Sequence, residues 1–171
     1  MIAFYILSLV VFTAYIATII GRFGIPTSIS ESYYLMPKKF GGPFFYGFCL
    51  LTALPLLIFW LDLSPEKWQF LVFLSCAPLM FVGAAGAFKE IDLTGKVHFI
   101  SASCSALFSQ IWIVLNTRWW IASIVLLAIA LLLTWKIKGK DDTGQSRSAW
   151  LFFVEMAAYS SIYIALLAYY V

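Results

Sequence analysis

Charge is what this sequence has least of. Of its 171 residues only 11% are Asp, Glu, Lys or Arg, against 63% hydrophobic, where a soluble domain carries about 25% charged residues. So few charges cannot cover so much apolar surface in water. That excludes a soluble domain, and lipid is the solvent that fits the composition. Histidine is nearly missing, with His98 the single one. One histidine excludes a haem held by two imidazoles and a multi-histidine zinc site of the ceramidase or progestin-receptor type. Cysteine is scarce. Cys49, Cys76 and Cys104 fall in three separate apolar runs, which gives neither a disulfide framework nor a metal-ligand spacing. They read as small hydrophobic fillers. There is no P-loop. No lysine lies in the last apolar run to carry a retinal. His98 shares its run with the nearby serines, whereas a rhomboid-like serine protease takes its histidine from another helix. No metal and no cofactor are expected. The net charge of +3 is not gathered into a basic stripe, so nucleic acid is not an expected partner.

What is there is apolar length. Six runs reach the roughly 20 residues that a helix needs to cross a bilayer, at 2–20, 43–61, 68–88, 98–116, 119–136 and 149–170. The expected fold class is therefore all-α, a single-domain polytopic integral membrane protein with a bundle of about six transmembrane helices and no soluble domain. The first run begins at Met1 without a basic n-region or an A-x-A site, and reads as a retained helix. Gly41-Gly42-Pro43 should break the chain before the second span. Ser64-Pro65-Glu66 supplies an N-cap, a first-position proline and a first-turn acid for the third. Thr117 and Arg118 alone separate the fourth and fifth spans, which predicts a tight hairpin. Lys140-Asp141-Asp142-Thr143-Gly144 reads as a polar turn before the sixth. Pro55 and Pro78 lie inside spans, which membrane helices tolerate when neighbours satisfy the freed carbonyls.

Lys and Arg set the expected orientation. Arg22, Lys38, Lys39, Lys89, Lys96, Lys136, Lys138, Lys140 and Arg147 lie at odd-numbered loops, and only Lys67 and Arg118 at the others. The positive-inside rule then puts both termini outside. The expected location is a bacterial cytoplasmic membrane. Trp60, Trp68, Trp119, Trp120, Tyr169 and Tyr170 would form the outer aromatic belt, with Tyr33, Tyr34, Trp135 and Trp150 the inner one. In the first loop, Ser28-Ile29-Ser30-Glu31 fits a capping box. It would start a short helix through Tyr33–Met36 that Pro37 stops.

Glu155 is the first candidate for chemistry, being the one acid well inside a span. An ionised carboxylate at such a place faces the bundle interior, a partner or water. Tyr159 and Tyr163 follow at successive helical turns, so the three share a face. On the fourth span, His98, Ser101, Ser105 and Ser109 recur at helical spacing beside Gln110. The bland alternative is that these hydroxyls pack helices and bond to backbone. Glu155 is expected within reach of His98, or of a hydroxyl on the first span (Tyr15, Thr18) or the fourth. Glu31 and the charged turn 89–96 could join His98 and Glu155 in one polar site. Gly83 and Ala87 form a small-xxx-small pair. The third and fourth spans are therefore expected to be the most buried, and the fifth, almost wholly Ile, Leu, Val, Ala and Trp, the most exposed to lipid.

Three stretches carry a resemblance: Ser28-Ile29-Ser30-Glu31-Ser32-Tyr33-Tyr34, then Phe81-Val82-Gly83-Ala84-Ala85-Gly86-Ala87-Phe88-Lys89, then Gly95-Lys96-Val97-His98-Phe99 leading to Ser109-Gln110-Ile111-Trp112. Over most of its length the chain is similar to small multi-pass membrane proteins of Bacteroides-type gut bacteria and their phages. That resemblance implies a multi-pass fold and assigns no residue a role. The leading functional expectation is non-enzymatic: a lipid or small amphipathic molecule bound, or passed, through a polar cavity on the cytoplasmic side. One alternative is an intramembrane lipid-modifying enzyme with Glu155 and His98 as acid and base. Another is a scaffold or accessory protein without a small-molecule site. Membrane lipids are the expected partners, with room for a homo-oligomer or another membrane protein.

Overall fold

The computed structural model describes residues 1–171, apart from the side chain of Lys38. It is an all-α polytopic bundle. The chain runs α1 (Ile2–Phe23), α2 (Ser32–Leu35), α3 (Lys38–Leu63), a single 3-10 turn (Glu66–Trp68), α4 (Gln69–Ala84), α5 (Asp92–Asn116), α6 (Trp120–Lys136), β1 (Lys138–Lys140), β2 (Ser146–Ser148) and α7 (Trp150–Tyr170). Five helices are long and apolar enough to cross a membrane, and α6, at 17 residues, is a shorter apolar helix.

α1, α3, α4 and α5 pack in sequence order, each against the next, and α6 pairs with α7. α7 closes on α1 through aromatic rings. Tyr159 lies 4.7 Å from Phe12 and Tyr163 5.7 Å from Tyr5, centroid to centroid. α5 and α6 are joined by three residues yet touch little, because α6 leans on α7 instead. The expected tight hairpin is thus a short turn between diverging helices, and the divergence opens space between α5 and α7.

Several boundaries fall elsewhere than expected, each for a local reason. Gly41-Gly42-Pro43 does not break the chain but lies inside α3. A Cβ on Gly41 would collide with the Tyr33 carbonyl, so this glycine permits a close approach of α3 to α2. Ser64 does not cap the third span. Its hydroxyl donates back to the Trp60 carbonyl at 2.7 Å and finishes α3. α4 ends at Ala84 rather than 88. α1 ends at Gly24, whose φ of 81° suits only glycine.

Pro55 and Pro78 both sit inside helices, where a proline loosens the turn before it. In each case a serine of a neighbouring helix donates to the carbonyl three residues earlier: Ser8 to Thr52 at 2.8 Å, and Ser105 to Ser75 at 2.6 Å. α3 is the most buried span and α7 the next, not the third and fourth spans. The small residues of α4 bring one face close to α3, with Gly83 tight against Cys49. Its other face leaves Phe70, Phe73 and Phe81 exposed. α6 buries only Ala130, so it is the most exposed of the long helices, the rank expected for the fifth span. Trp60 is no belt residue. It is fully buried, edge-on to Trp112 at 5.2 Å.

Candidate functional site

The loops on the basic side of the molecule converge. The first loop, 24–31, lies across this end of the bundle as a strap. Lys140 N–H donates to the Ile25 carbonyl at 2.8 Å, and Phe152 N–H to the Thr27 carbonyl at 3.1 Å. The segment read as a polar turn is the tip of a short β-hairpin, whose strands pair Lys138 with Ser148 and Lys140 with Ser146. Its tip is organised by Asp141. One carboxylate oxygen accepts from Thr143 N–H, Thr143 Oγ1 and Gln145 N–H, and the other lies 2.7 Å from Arg147 Nε. The Thr143 hydroxyl above all, with the two amides and Arg147, holds the Asp141 carboxyl below its ordinary pKa.

Half of the expected capping box forms. Ser28 Oγ accepts Glu31 N–H at 3.0 Å. The Glu31 side chain does not reach back. It accepts Lys89 Nζ at 2.6 Å and Asp142 N–H at 3.0 Å. Partial burial works against the Lys89 ammonium, but hydrogen bonds and charge from Glu31 and Asp142 outweigh it, and its pKa is raised. Lys89 also lies 4.8 Å from the centre of the Tyr34 ring.

His98 does not meet Glu155. Its Nδ1 sits 3.1 Å from both the Val82 and Ala85 carbonyls, and its Nε2 2.9 Å from Ser30 Oγ. Carbonyls only accept, so Nδ1 carries a proton and the neutral ring accepts the Ser30 hydroxyl at Nε2. The imidazole caps the C-terminal end of α4 and ties it to the strap. Sequence spacing could place His98 and Glu155 at one end of the bundle, but not reveal that His98 turns to the end of α4 and Ser30, and Glu155 to the amide of Ile29.

Glu155 points inward. Oε2 accepts Ile29 N–H at 2.6 Å. Among the described residues Oε1 has no hydrogen-bond partner, and neither has the hydroxyl of Tyr159, one turn along α7. Both line a cavity of about 420 Å³. Its wall is formed by α5 (Phe99, Ala102, Ser105, Ala106, Ser109), α7 (Trp150, Val154, Ala158) and the strap, with Phe45, Phe48 and Cys49 of α3 behind. Exposed residues at its rim (Phe99, Ser103, Ala106 and Trp150) mark an opening on the flank between α5 and α7. At the far end Gln110 Nε2 reaches Ser161 Oγ at 3.1 Å and links the two helices.

The structure thus brings Glu155, His98, Tyr159, Ser105 and Glu31 to one cavity. Ser101 is not part of its wall. Tyr163 lies beyond it, its hydroxyl 2.7 Å from Ser8 Oγ and its carbonyl accepting from Tyr5. The cavity is also less polar than expected, because most of its polar groups are already bonded to backbone. A cavity at this end was expected, but not its apolar flank between α5 and α7. Its sequence signal was the small-residue series Ala102, Ser105, Ala106, Ser109, which reads equally as close packing. A wider groove of about 940 Å³ lies between α1 and α3, apolar except for Tyr15, Thr18 and Arg22. Comparison with protein-family models, curated proteins and solved structures gives no match to this chain.

Proposed function

We propose that this chain is a membrane protein that binds a single-chain lipid or small amphipathic molecule in the flank cavity between α5 and α7. The observation that carries the reading is a hollow of about 420 Å³, inside the roughly 300–1,000 Å³ range of small-molecule sites. It has apolar walls and two polar atoms without a partner, Glu155 Oε1 and the Tyr159 hydroxyl. An amphiphile entering from the bilayer would lay its tail along Phe99, Ala102, Ala106 and Val154 and bring its head to Glu155. Binding is favoured over acid–base chemistry because both ring nitrogens of His98 are engaged elsewhere. A packed scaffold without a site would leave no such hollow.

The orientation proposed with this reading puts the strap and hairpin in the cytoplasm. Nine basic residues gather at that end and two at the other. α6 counts as a sixth crossing, since 17 residues is at the short limit of what a bilayer needs, about 17–25. Both termini are then outside, in a cytoplasmic membrane.

The test is binding in neutral phosphatidylcholine nanodiscs. An alkyl alcohol with a dansyl group at its tail end is titrated and read by energy transfer from tryptophan, Trp150 being at the cavity mouth. Ala158→Phe fills the hollow and should weaken binding about 10-fold or more. Equal affinity in the variant would count against the cavity.

A further inference from the structure

Resting on that reading, we infer that the ligand's head is cationic and a hydrogen-bond donor, a protonated primary amine on a single alkyl chain. The formally charged side chains of the wall are both acids, Glu31 and Glu155. Glu155 Oε1 can only accept when ionised. The Ser105 and Ser109 hydroxyls already donate to the Ser75 and Ala106 carbonyls, at 2.6 and 2.8 Å, so each turns lone pairs to any neighbour. Tyr159 and the hydroxyls of Thr27, Ser28, Ser103 and Ser148 can donate as well as accept. No lysine or arginine lines the hollow.

The two acids of the wall differ in their charge balance. Glu31 is matched by Lys89 at 2.6 Å and accepts Asp142 N–H. Glu155 receives one neutral amide and no cation. A carboxylate inside a membrane span is costly without a counter-charge. An ammonium head supplies that charge and up to three donors to a set of acceptors. A carboxylate or phosphate head would meet Glu155 with like charge and find no cation. The strap contributes to selectivity, because Ile29 N–H fixes one oxygen of Glu155 and leaves the other turned to the ligand.

The experiment compares three probes in the same neutral nanodiscs, with identical dansyl-tailed alkyl chains ending in an amine, an alcohol or a carboxylate. The wild type should bind the amine about 10-fold or more tighter than the alcohol, and the carboxylate weakest. Glu155→Gln keeps the shape and the bond to Ile29, so it should bring the amine down to the alcohol's affinity. Ala158→Phe, measured beside it, should weaken all three and so subtracts plain partitioning into the bilayer. Amine and alcohol binding equally, both weakened by Ala158→Phe, would overturn the head-group assignment and leave the cavity standing. Affinities that Ala158→Phe does not change would overturn both. Amine preference kept in Glu155→Gln would also overturn the assignment. A melting curve of each variant, matched to the wild type, confirms that the comparison is between folded proteins.

Discussion

His98 shows how a residue singled out for chemistry can be fully used by architecture. Its three partners come from the end of α4 and from the strap, so it should matter for folding. His98→Ala would leave the Val82 and Ala85 carbonyls and the Ser30 hydroxyl without a partner in a buried place, a cost of about 2 kcal/mol or more. Unfolding in a mixed-micelle titration should show that loss. An unchanged unfolding midpoint would mean that the imidazole is not a cap. A lone histidine at the start of an apolar run could be read as important from the sequence. What it touches could not, because the carbonyls it caps are 13 and 16 residues away, across a turn whose first residues, 85–88, the sequence reading places inside the third span. Glu155 was the reverse case. An acid inside a span had to face inward, and it does. Its partner is a backbone amide of Ile29, and backbone donors leave no mark in side-chain patterns.

Lys89 carries a pH-dependent tie at the same scale. Its pKa is raised in the folded protein, so its contribution is fully present below the ordinary lysine value, near 10.4, and is lost as pH rises through the raised folded value. The melting temperature should accordingly fall in Lys89→Met at neutral pH. The gap between variant and wild type should stay constant up to about pH 10 and close above it. A gap that persisted at higher pH would assign the effect to the packing of the aliphatic stem on Tyr34.

Among elements, helices were legible and their ends were not. Mean apolarity marks a span wherever it occurs, because lipid leaves a chain no alternative to satisfying its backbone internally. Ends depend on single contacts. Gly41-Gly42-Pro43 has the composition of a break, yet α3 continues through it, and Gly41 is there to let Tyr33 come close. Gly41→Ala should therefore destabilise by about 1–3 kcal/mol, since both clashing groups are backbone-anchored. Gly47→Ala, in the same helix with nothing near the added methyl, should be neutral or stabilising by up to about 1 kcal/mol. Equal effects of the two would remove the close-approach explanation. The hairpin Lys138–Ser148 escaped sequence reading because its strands are short, polar and without alternation. Asp141 and the pairing to the strap hold it. Burial ranking failed for a related reason. Small residues say how closely two helices can approach, not on how many faces they are covered.

At the scale of the whole molecule, two features make the proposed site. Three loops that carry nine basic residues lie at one end, where strap, hairpin and the end of α4 interlock through Glu31, Lys89 and Asp142. The short turn after Asn116 then sends α6 to α7 and away from α5, which leaves the flank open between them. The topology is tested by reporter fusions at Val171 and within 138–147. The C-terminal fusion should report outside and the loop fusion inside. A cytoplasmic signal from the C-terminal fusion would contradict the orientation, and opposite sides for the two termini would contradict six crossings.

The occupancy of the flank cavity is tested most directly by photo-crosslinking. An alkylamine with a diazirine in its tail is equilibrated with the protein in nanodiscs, irradiated, and its adducts are mapped by mass spectrometry. The account predicts adducts concentrated on Phe99–Ser109 of α5 and Trp150–Ala158 of α7, suppressed by an excess of unlabelled amine and lost in Ala158→Phe. Adducts spread over the exposed face of α6, or gathered in the groove between α1 and α3 and insensitive to competition, would contradict it.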